Sequence, residues 1–178
     1  MPTTEELVMA ARAGDREAFA TLVERDGPGA LRMASAILRS EADAQDAVQD
    51  AFVRAWRDLP TLRQPQRWPA WFRALTVHAS IDIQRRRLRL REVDLDASAE
   101  PSEADALGGA ADRDRIRRAM SQMSVDDRAV LVLRYVEDLE VPAIAATLGV
   151  RLGTAKSRLH RATMRLRASL GDPVETTP

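Results

Sequence analysis

The sequence predicts an all-α fold of two small helical domains joined by a flexible acidic linker. Apolar residues recur at helical spacing, and β-branched residues never form a run that alternates like a strand. Hydrophobic residues make up 45% of the chain but aromatic residues only 4%, so Leu and Ala supply most of the expected core. Residues 91–110 have no helical period and carry six acidic side chains against one basic. We therefore expect domains at 1–90 and 111–170 and a disordered tail at 171–178.

Composition excludes several classes of function. The chain has no cysteine, which rules out a disulfide framework, a thiolate nucleophile and a Cys-based zinc site, and its two histidines lie far apart. We expect a cytoplasmic protein without membrane insertion, because there is neither a signal-peptide pattern nor an 18-residue apolar stretch. No acid pair, Ser/His/Asp set or phosphate-binding loop stands out. We therefore expect no enzymatic activity, no metal and no cofactor.

The first domain is predicted to be a series of capped helices. Residues 3–6, TTEE, form a capping box before a first helix that ends at Gly14. Asp15 is placed to cap a second helix, which the glycines and proline of residues 27–29 are expected to break. A third helix follows that break, and Ser40 caps the next helix. In the second domain Ser124 is placed to cap a helix in the same way.

Residues 41–59 form the most regular segment of the chain. Their apolar stripe consists of Ala44, Ala47, Val48, Ala51, Phe52, Ala55 and Leu59. The opposite face presents polar side chains and one valine: Asp46, Gln49, Asp50, Val53 and Arg57. A valine in the middle of an acid-rich exposed face is unusual. An ordinary amphipathic helix with one stray apolar residue accounts for the same period.

A polar loop at 60–67 leads into a long helix that begins at Trp68 and runs to Leu90. Aromatic residues lie at the start of this helix, and a cluster of arginines lies at its end. Such an arrangement suits nucleic-acid bases at one end and phosphates at the other. A buried helix whose cationic end reaches into solvent suits the same pattern.

Two helices with a tight turn between them are predicted for residues 141–170. Pro142 is near the start of the first helix, and Gly149 is placed for a left-handed C-cap. The second helix begins at Leu152 or Gly153. Its expected core face consists of Leu152, Ala155, Leu159, Ala162 and Leu166. This is the pattern of a helix-turn-helix.

The outer face of that second helix combines short polar side chains near its start with long cations further along. Residues 151–167 contain six Lys or Arg and no acid. Short side chains allow close approach to a groove floor, and cations bind the phosphates beside it. The alternative is a helix whose outer face is only exposed to solvent. Such a face usually mixes both charge signs, whereas this one has no acid, so the alternative fits less well. The candidate DNA-binding residues are Arg151, Thr154, Lys156, Ser157, Arg158, Arg161 and Arg165.

Four segments in order resemble a bacterial family, the extracytoplasmic-function (ECF) alternative sigma factors of RNA polymerase. They are residues 14–19, residues 43–59 (DAQDAVQDAFVRAWRDL), residues 71–87 (WFRALTVHASIDIQRRR) and residues 123–162, which include the helix-turn-helix. The resemblance covers nearly the whole chain. It implies that residues 1–90 are sigma region 2 and that residues 111–170 are sigma region 4.

The resemblance also implies partners and roles. The face with Asp46, Gln49, Asp50 and Val53 would dock on the clamp helices of the polymerase's largest subunit, and the polymerase flap would be a further contact. Helix 152–167 would recognise the −35 element. A separate anti-sigma factor is a further implied partner. The loop 60–67 and helix 68–87 would open the −10 element and hold it as a single strand, through Arg67, Trp68, Arg73, Val77, His78, Arg85, Arg86 and Arg87.

Two other functions are each compatible with only part of the sequence. A stand-alone helix-turn-helix regulator would use only residues 111–170, which leaves the outer face of 41–59 without a role. A sigma-like mimic that sequesters a regulator would have no need of the basic face between Thr154 and Arg167.

Overall fold

A computed structural model describes residues 1–93 and 111–171, and every regular element within those ranges is helical. The predicted all-α class is therefore confirmed. The chain divides into two compact units, the first with α1–α4 and the second with α5–α8. The helices are α1 (Thr4–Arg12), α2 (Arg16–Leu38), α3 (Glu41–Asp58), α4 (Trp68–Val93), α5 (Ala111–Ser121), α6 (Val125–Tyr135), α7 (Val141–Leu148) and α8 (Leu152–Leu170), with 3₁₀ turns at Leu59–Thr61 and Pro65–Arg67.

The predicted linker and tail fall almost entirely outside the described residues. Helix α4 continues through Val93 and so includes the first three residues of the predicted linker. Residues 94–110 and 172–178 are not described. The expectations that the linker is flexible and that the tail is disordered remain predictions.

The predicted helix caps are confirmed. The hydroxyl of Thr3 accepts a hydrogen bond from the Glu6 N–H, and the Glu6 carboxylate accepts one from the Thr3 N–H, which completes the capping box. Asp15, Ser40 and Ser124 likewise accept hydrogen bonds from the first turns of α2, α3 and α6. Local side-chain chemistry therefore determines where these helices begin.

The predicted break at residues 27–29 is wrong, because α2 runs without interruption past Pro28. Proline normally clashes with the Cβ of the preceding residue, but that residue is Gly27, which has none. Packing also holds the helix together, since Leu22 and Ala30 on either side of the proline are buried. A Cβ at Gly27 would lie 3.9 Å from the Phe52 ring of α3. Tertiary contact and the missing Cβ thus outweigh the local tendency to break.

The core of the first unit is built on small residues of α3 and on aromatic rings around them. Ala44, Ala47, Ala51 and Ala55 are fully buried, which allows α2 and α4 to pack closely on either side of α3. The rings of Phe19, Phe52, Trp68 and Phe72 pack against one another, with neighbouring centroids 4.4–6.4 Å apart.

The structure corrects two expectations about α4. Trp68 and Val77 were expected near the −10 strand, but both side chains are 0% exposed. The Trp68 indole stacks on Phe72 with centroids 5.3 Å apart. Its Nε1–H donates to an Asp26 carboxylate oxygen at 2.7 Å, so the polar edge of the ring is satisfied inside the unit. Helix α4 packs against both α2 and α3, which explains why more than one of its sides is buried.

The second unit is a four-helix arrangement in which α5, α6 and α7 all pack on α8. Its buried residues include Val130, Leu133, Ile144, Ala155 and Ala162. The turn between α7 and α8 requires left-handed backbone at Gly149, where φ is +64°. Helices α7 and α8 therefore form the predicted helix-turn-helix.

We expect Trp68→Ala to lower the free energy of unfolding by about 3–5 kcal/mol, because it removes a fully buried aromatic side chain. Trp68→Phe should cost less, because it keeps a ring against Phe72 and loses mainly the hydrogen bond to Asp26. Urea denaturation of the full chain measures both changes. Native stability in Trp68→Ala would contradict the placement of the indole in the core.

Candidate nucleic-acid and protein interfaces

The outward face of α3 keeps the composition that the sequence predicted. Asp46, Gln49 and Val53 are exposed, and Val53 has 59% of its surface accessible. Asp50 is half-buried. Val53 lies at the edge of two grooves, one on each side of α3, so its exposed side chain is part of a larger accessible surface.

An apolar groove lies between α2 and α3 on one side of this face. It has a volume of about 600 Å³, and Phe19, Val23 and Leu31 line it from α2. Helix α3 contributes Val53 and Trp56, and Trp56 is 40% exposed with its ring 4.9 Å from that of Phe19. Trp56 was not among the residues predicted to bind a partner. Its spacing of three residues from Val53 was the available signal, because i and i+3 lie on the same helix face.

A polar groove of about 380 Å³ lies on the other side, between α3 and α4, and includes Asp46, Asp50 and Arg86. An Asp50 carboxylate oxygen is 2.7 Å from Arg54 and 3.9 Å from Arg86. Burial lowers the pKa of Arg54, but its hydrogen bonds to Asp50 and Asp82 outweigh this, and the pKa is raised above its ordinary value. Within the described residues, Asp46 makes no hydrogen bond or ion pair.

The remaining candidate −10 residues are spread along the surface of α4 and the turn before it. Arg67 is exposed at the end of the second 3₁₀ turn, and Arg73 and His78 are half-buried. Arg85, Arg86 and Arg87 are all exposed. These last arginines already face acids of the same unit, since Arg87 bonds to the buried carboxylate of Asp43 and Arg86 lies near Asp50.

The loop between α3 and α4 is anchored from within and exposed at its polar positions. Leu59, Leu62 and Trp68 are buried beneath it, and the Gln66 side-chain amide donates to the Glu5 carboxylate of α1. Arg63, Gln64 and Arg67 remain exposed. The loop therefore presents polar side chains from a fixed backbone.

Most of the candidate −35 residues lie on the accessible face of α8. Arg151, Thr154, Lys156, Ser157 and Arg161 are exposed. The Ser157 hydroxyl and the Arg161 Nε–H both donate to carbonyls of α8 itself. His160 is exposed on the same helix and was not among the predicted residues, although its place beside Arg161 was a signal.

Two of the candidate cations are instead engaged with α6. Arg158 donates to Asp126 at 3.1 Å, and Arg165 bonds to the Asp127 carboxylate. Leu152, expected in the core, is 45% exposed because it is the first residue of α8. The other members of the expected core face are buried or half-buried.

Within residues 1–93 and 111–171, no group of His, Asp or Glu side chains is arranged to hold a metal ion. None of the helices in these ranges combines the length and the apolar character that a membrane span requires.

Comparison with protein families defines the class of the chain. Residues 22–90 match the model of sigma-70 region 2, and residues 113–166 match the model of sigma-70 region 4. The first match covers most of α2, all of α3 and most of α4, and the second covers most of the α5–α8 unit. The two units are thus a sigma region 2 domain and a sigma region 4 domain.

Similar proteins identify the branch of that family. ECF RNA polymerase sigma factor SigM of Mycobacterium tuberculosis is 33% identical over 93% of this chain and 84% of its own length. SigL of the same species is 32% identical over 92% of this chain and 94% of its own length. The chain spans 63% of SigE of Mycolicibacterium smegmatis, at 31% identity. The chain belongs to the ECF RNA polymerase sigma factors, which are transcription initiation factors and not enzymes.

Solved structures are similar over the same range. CnrH in complex with the cytosolic domain of CnrY aligns with a TM-score of 0.64 and 26% identity, covering 94% of this chain and 96% of CnrH. The sigma factor RpoE of Bartonella quintana, solved with the anti-sigma factor NepR, shares the fold with a TM-score of 0.71 and 24% identity over 88% of this chain and 98% of its own.

Proposed function

We propose that this sigma factor binds core RNA polymerase in the bacterial cytoplasm through the outward face of α3 and directs it to specific promoters. In this proposal the loop before α4 and the cations of α4 hold the −10 element, and α8 reads the −35 element. The observation that carries the proposal is the outward face of α3, where the side chains of Asp46, Gln49 and Val53 are exposed and the Asp46 carboxylate makes no hydrogen bond or ion pair within the described residues.

The composition of that face suits a protein interface. Val53 and Trp56 are exposed next to the apolar groove, and an accessible aromatic beside a groove is typical of the centre of a binding surface. Asp46 and Gln49 lie beside them. Acids at the rim favour a basic partner and specify its orientation. This arrangement supports docking on the clamp helices of the largest polymerase subunit, with the flap as a contact of region 4.

Asp46→Arg is the sharper test of this docking site. Asp50→Arg would place a new cation beside Arg54 and Arg86 and so disturb the unit itself. We expect Asp46→Arg to weaken binding to core polymerase at least about tenfold, because it introduces a repulsive charge at the interface. Titration of labelled protein with core polymerase measures the change.

The matched control is Glu24→Arg, which makes the same charge change at an exposed position of α2 that lines neither groove. It should bind core polymerase like the wild type, and both variants should keep the helical circular dichroism signal. Equal affinities of Asp46→Arg and wild-type protein would disprove this docking site.

Capture of the −10 strand is assigned to the loop and to cations, not to the buried tryptophan. Arg63, Gln64 and Arg67 project from the anchored loop, and His78 is partly accessible on α4. Unstacked bases are bound by polar side chains that hydrogen-bond to their edges, and cations neutralise the phosphates beside them. Trp68 supports this surface from below, since it begins α4 and fixes the end of the loop.

Recognition of the −35 element is assigned to the part of α8 that no other helix of the unit engages. Thr154 and Ser157 are short and exposed near the start of the helix, where close approach to a major groove is needed. Arg161 is exposed one turn further along, and its Nε–H bonds only to the backbone of its own helix in the described residues. Arginine can donate two hydrogen bonds to a guanine edge, while Lys156 acts as a point charge toward phosphate.

We expect Arg161→Ala to change base preference at one or two −35 positions, a loss of about 1–3 kcal/mol of discrimination. Lys156→Ala should weaken binding to all sequences alike and lower the salt slope by about one. Reconstituted holoenzyme on promoter fragments with a randomised −35 element measures both effects. Uniform loss of affinity in Arg161→Ala, with the wild-type preference kept, would show that Arg161 binds backbone only.

A separate anti-sigma factor is the partner that we propose for the inactive state. CnrH, whose solved structure is similar to this chain, was solved in complex with the cytosolic domain of CnrY, which is a precedent for a separate protein partner. The apolar groove between α2 and α3 offers a surface of suitable size for a helix of that partner.

A further inference from the structure

Two ion pairs connect the first turn of α6 with one side of α8. Arg158 bonds to Asp126 at 3.1 Å, and Arg165 bonds to the neighbouring acid Asp127. The two arginines are seven residues apart, so they lie on the same side of α8 two turns apart. Successive acids at the start of α6 thus hold two points, two turns apart, on the helix that is proposed to read DNA.

The pair of Arg158 and Asp126 is largely withdrawn from solvent. Only 23% of the Arg158 side chain and 27% of the Asp126 side chain are accessible. The acids are also fixed at their backbone, since Ser124 caps α6 through the Asp127 N–H. A charged hydrogen bond with this burial is stronger and more directional than a pair on the open surface.

Apolar packing on this side of α8 is close, and the packed side chains are small. Ala155 and Ala162 are fully buried and alternate with the two arginines along the helix, giving the spacing 155, 158, 162 and 165. Alanines let two helices approach closely, yet a single methyl group does little to resist rotation or sliding of one helix on the other. The two ion pairs, which are directional and lie two turns apart, supply that resistance.

We propose that Arg158 is a positioning residue: through Asp126 it fixes the rotation of α8, and this aims Ser157 and Arg161 at the bases. The pair of Arg165 and Asp127 holds the same side of α8 two turns further along. This inference rests on the proposed −35 role of α8. It differs from the sequence-based expectation that Arg158 itself binds DNA. Consecutive side chains of a helix differ in direction by about 100°. A rotation of α8 by even part of that angle therefore moves a side chain out of hydrogen-bond reach of a base.

The test is a double-mutant cycle on the full chain in reconstituted holoenzyme. The variants are Asp126→Asn, Arg158→Met and the two combined, and the probe is a transcribed promoter fragment with a randomised −35 element. Affinity and base preference are measured well below the melting temperature of each variant. The control is Arg167→Met, which removes an exposed cation of the same helix that is not part of either ion pair.

We expect Asp126→Asn and Arg158→Met each to flatten the base preference and to weaken binding to the preferred sequence about fivefold, with no further loss in the double variant. Asp126→Glu should restore most of the preference. Arg167→Met should leave the preference unchanged, because it removes only charge.

Two results would overturn the inference. If Arg158 binds DNA directly, Asp126→Asn frees it, and binding stays equal or becomes tighter while Arg158→Met alone is defective. If the pair only stabilises the unit, all variants melt earlier and keep the wild-type preference. A wild-type holoenzyme with no −35 preference would instead refute the proposed role of α8, which separates failure of that role from failure of the positioning of Arg158.

Discussion

Close packing on alanine is the constraint on which both units depend. In the first unit four buried alanines of α3 lie at the contacts with its neighbours, and in the second unit Ala155 and Ala162 do the same for α8. Small side chains bring helix backbones close together and leave little room for large hydrophobic residues between them. The large side chains of this core are aromatic rings that pack together, with Phe52 and Trp68 both against Phe72.

Ion pairs between helices are directional, whereas contacts between alanine side chains are not. Arg54 links α3 to α4 through Asp82 and is held within α3 by Asp50, and Arg158 links α8 to α6 through Asp126. Exposed pairs of this kind contribute little free energy singly, but networks with partly buried members define helix orientation. The same helices carry the proposed binding faces. Orientation and binding are thus divided among neighbouring residues of one helix, such as Arg158 for orientation and Arg161 for contact.

Local signals made much of the fold predictable, and tertiary packing explains where prediction failed. The caps at Thr3, Asp15, Ser40 and Ser124 depend on side chains within three residues, so the sequence was sufficient. The continuity of α2 through Pro28 was not predictable from local rules, because contact with α3 and the missing Cβ of Gly27 decide it. Trp68 and Val77 were misplaced because helical periodicity predicts one buried side, whereas α4 packs against two helices.

The sequence was enough to predict which helix face is exposed, but not which arginine on that face pairs with an acid of its own unit. Arg158 and Arg161 have the same side chain, lie one turn apart and belong to one basic run, so periodicity assigns both to the outer face. What separates them is the position of Asp126, which is thirty-two residues away in sequence and reaches Arg158 only after α6 has packed on α8. An arginine that completes a fold and an arginine that meets a ligand therefore differ in their partners alone, and those partners are set by tertiary structure.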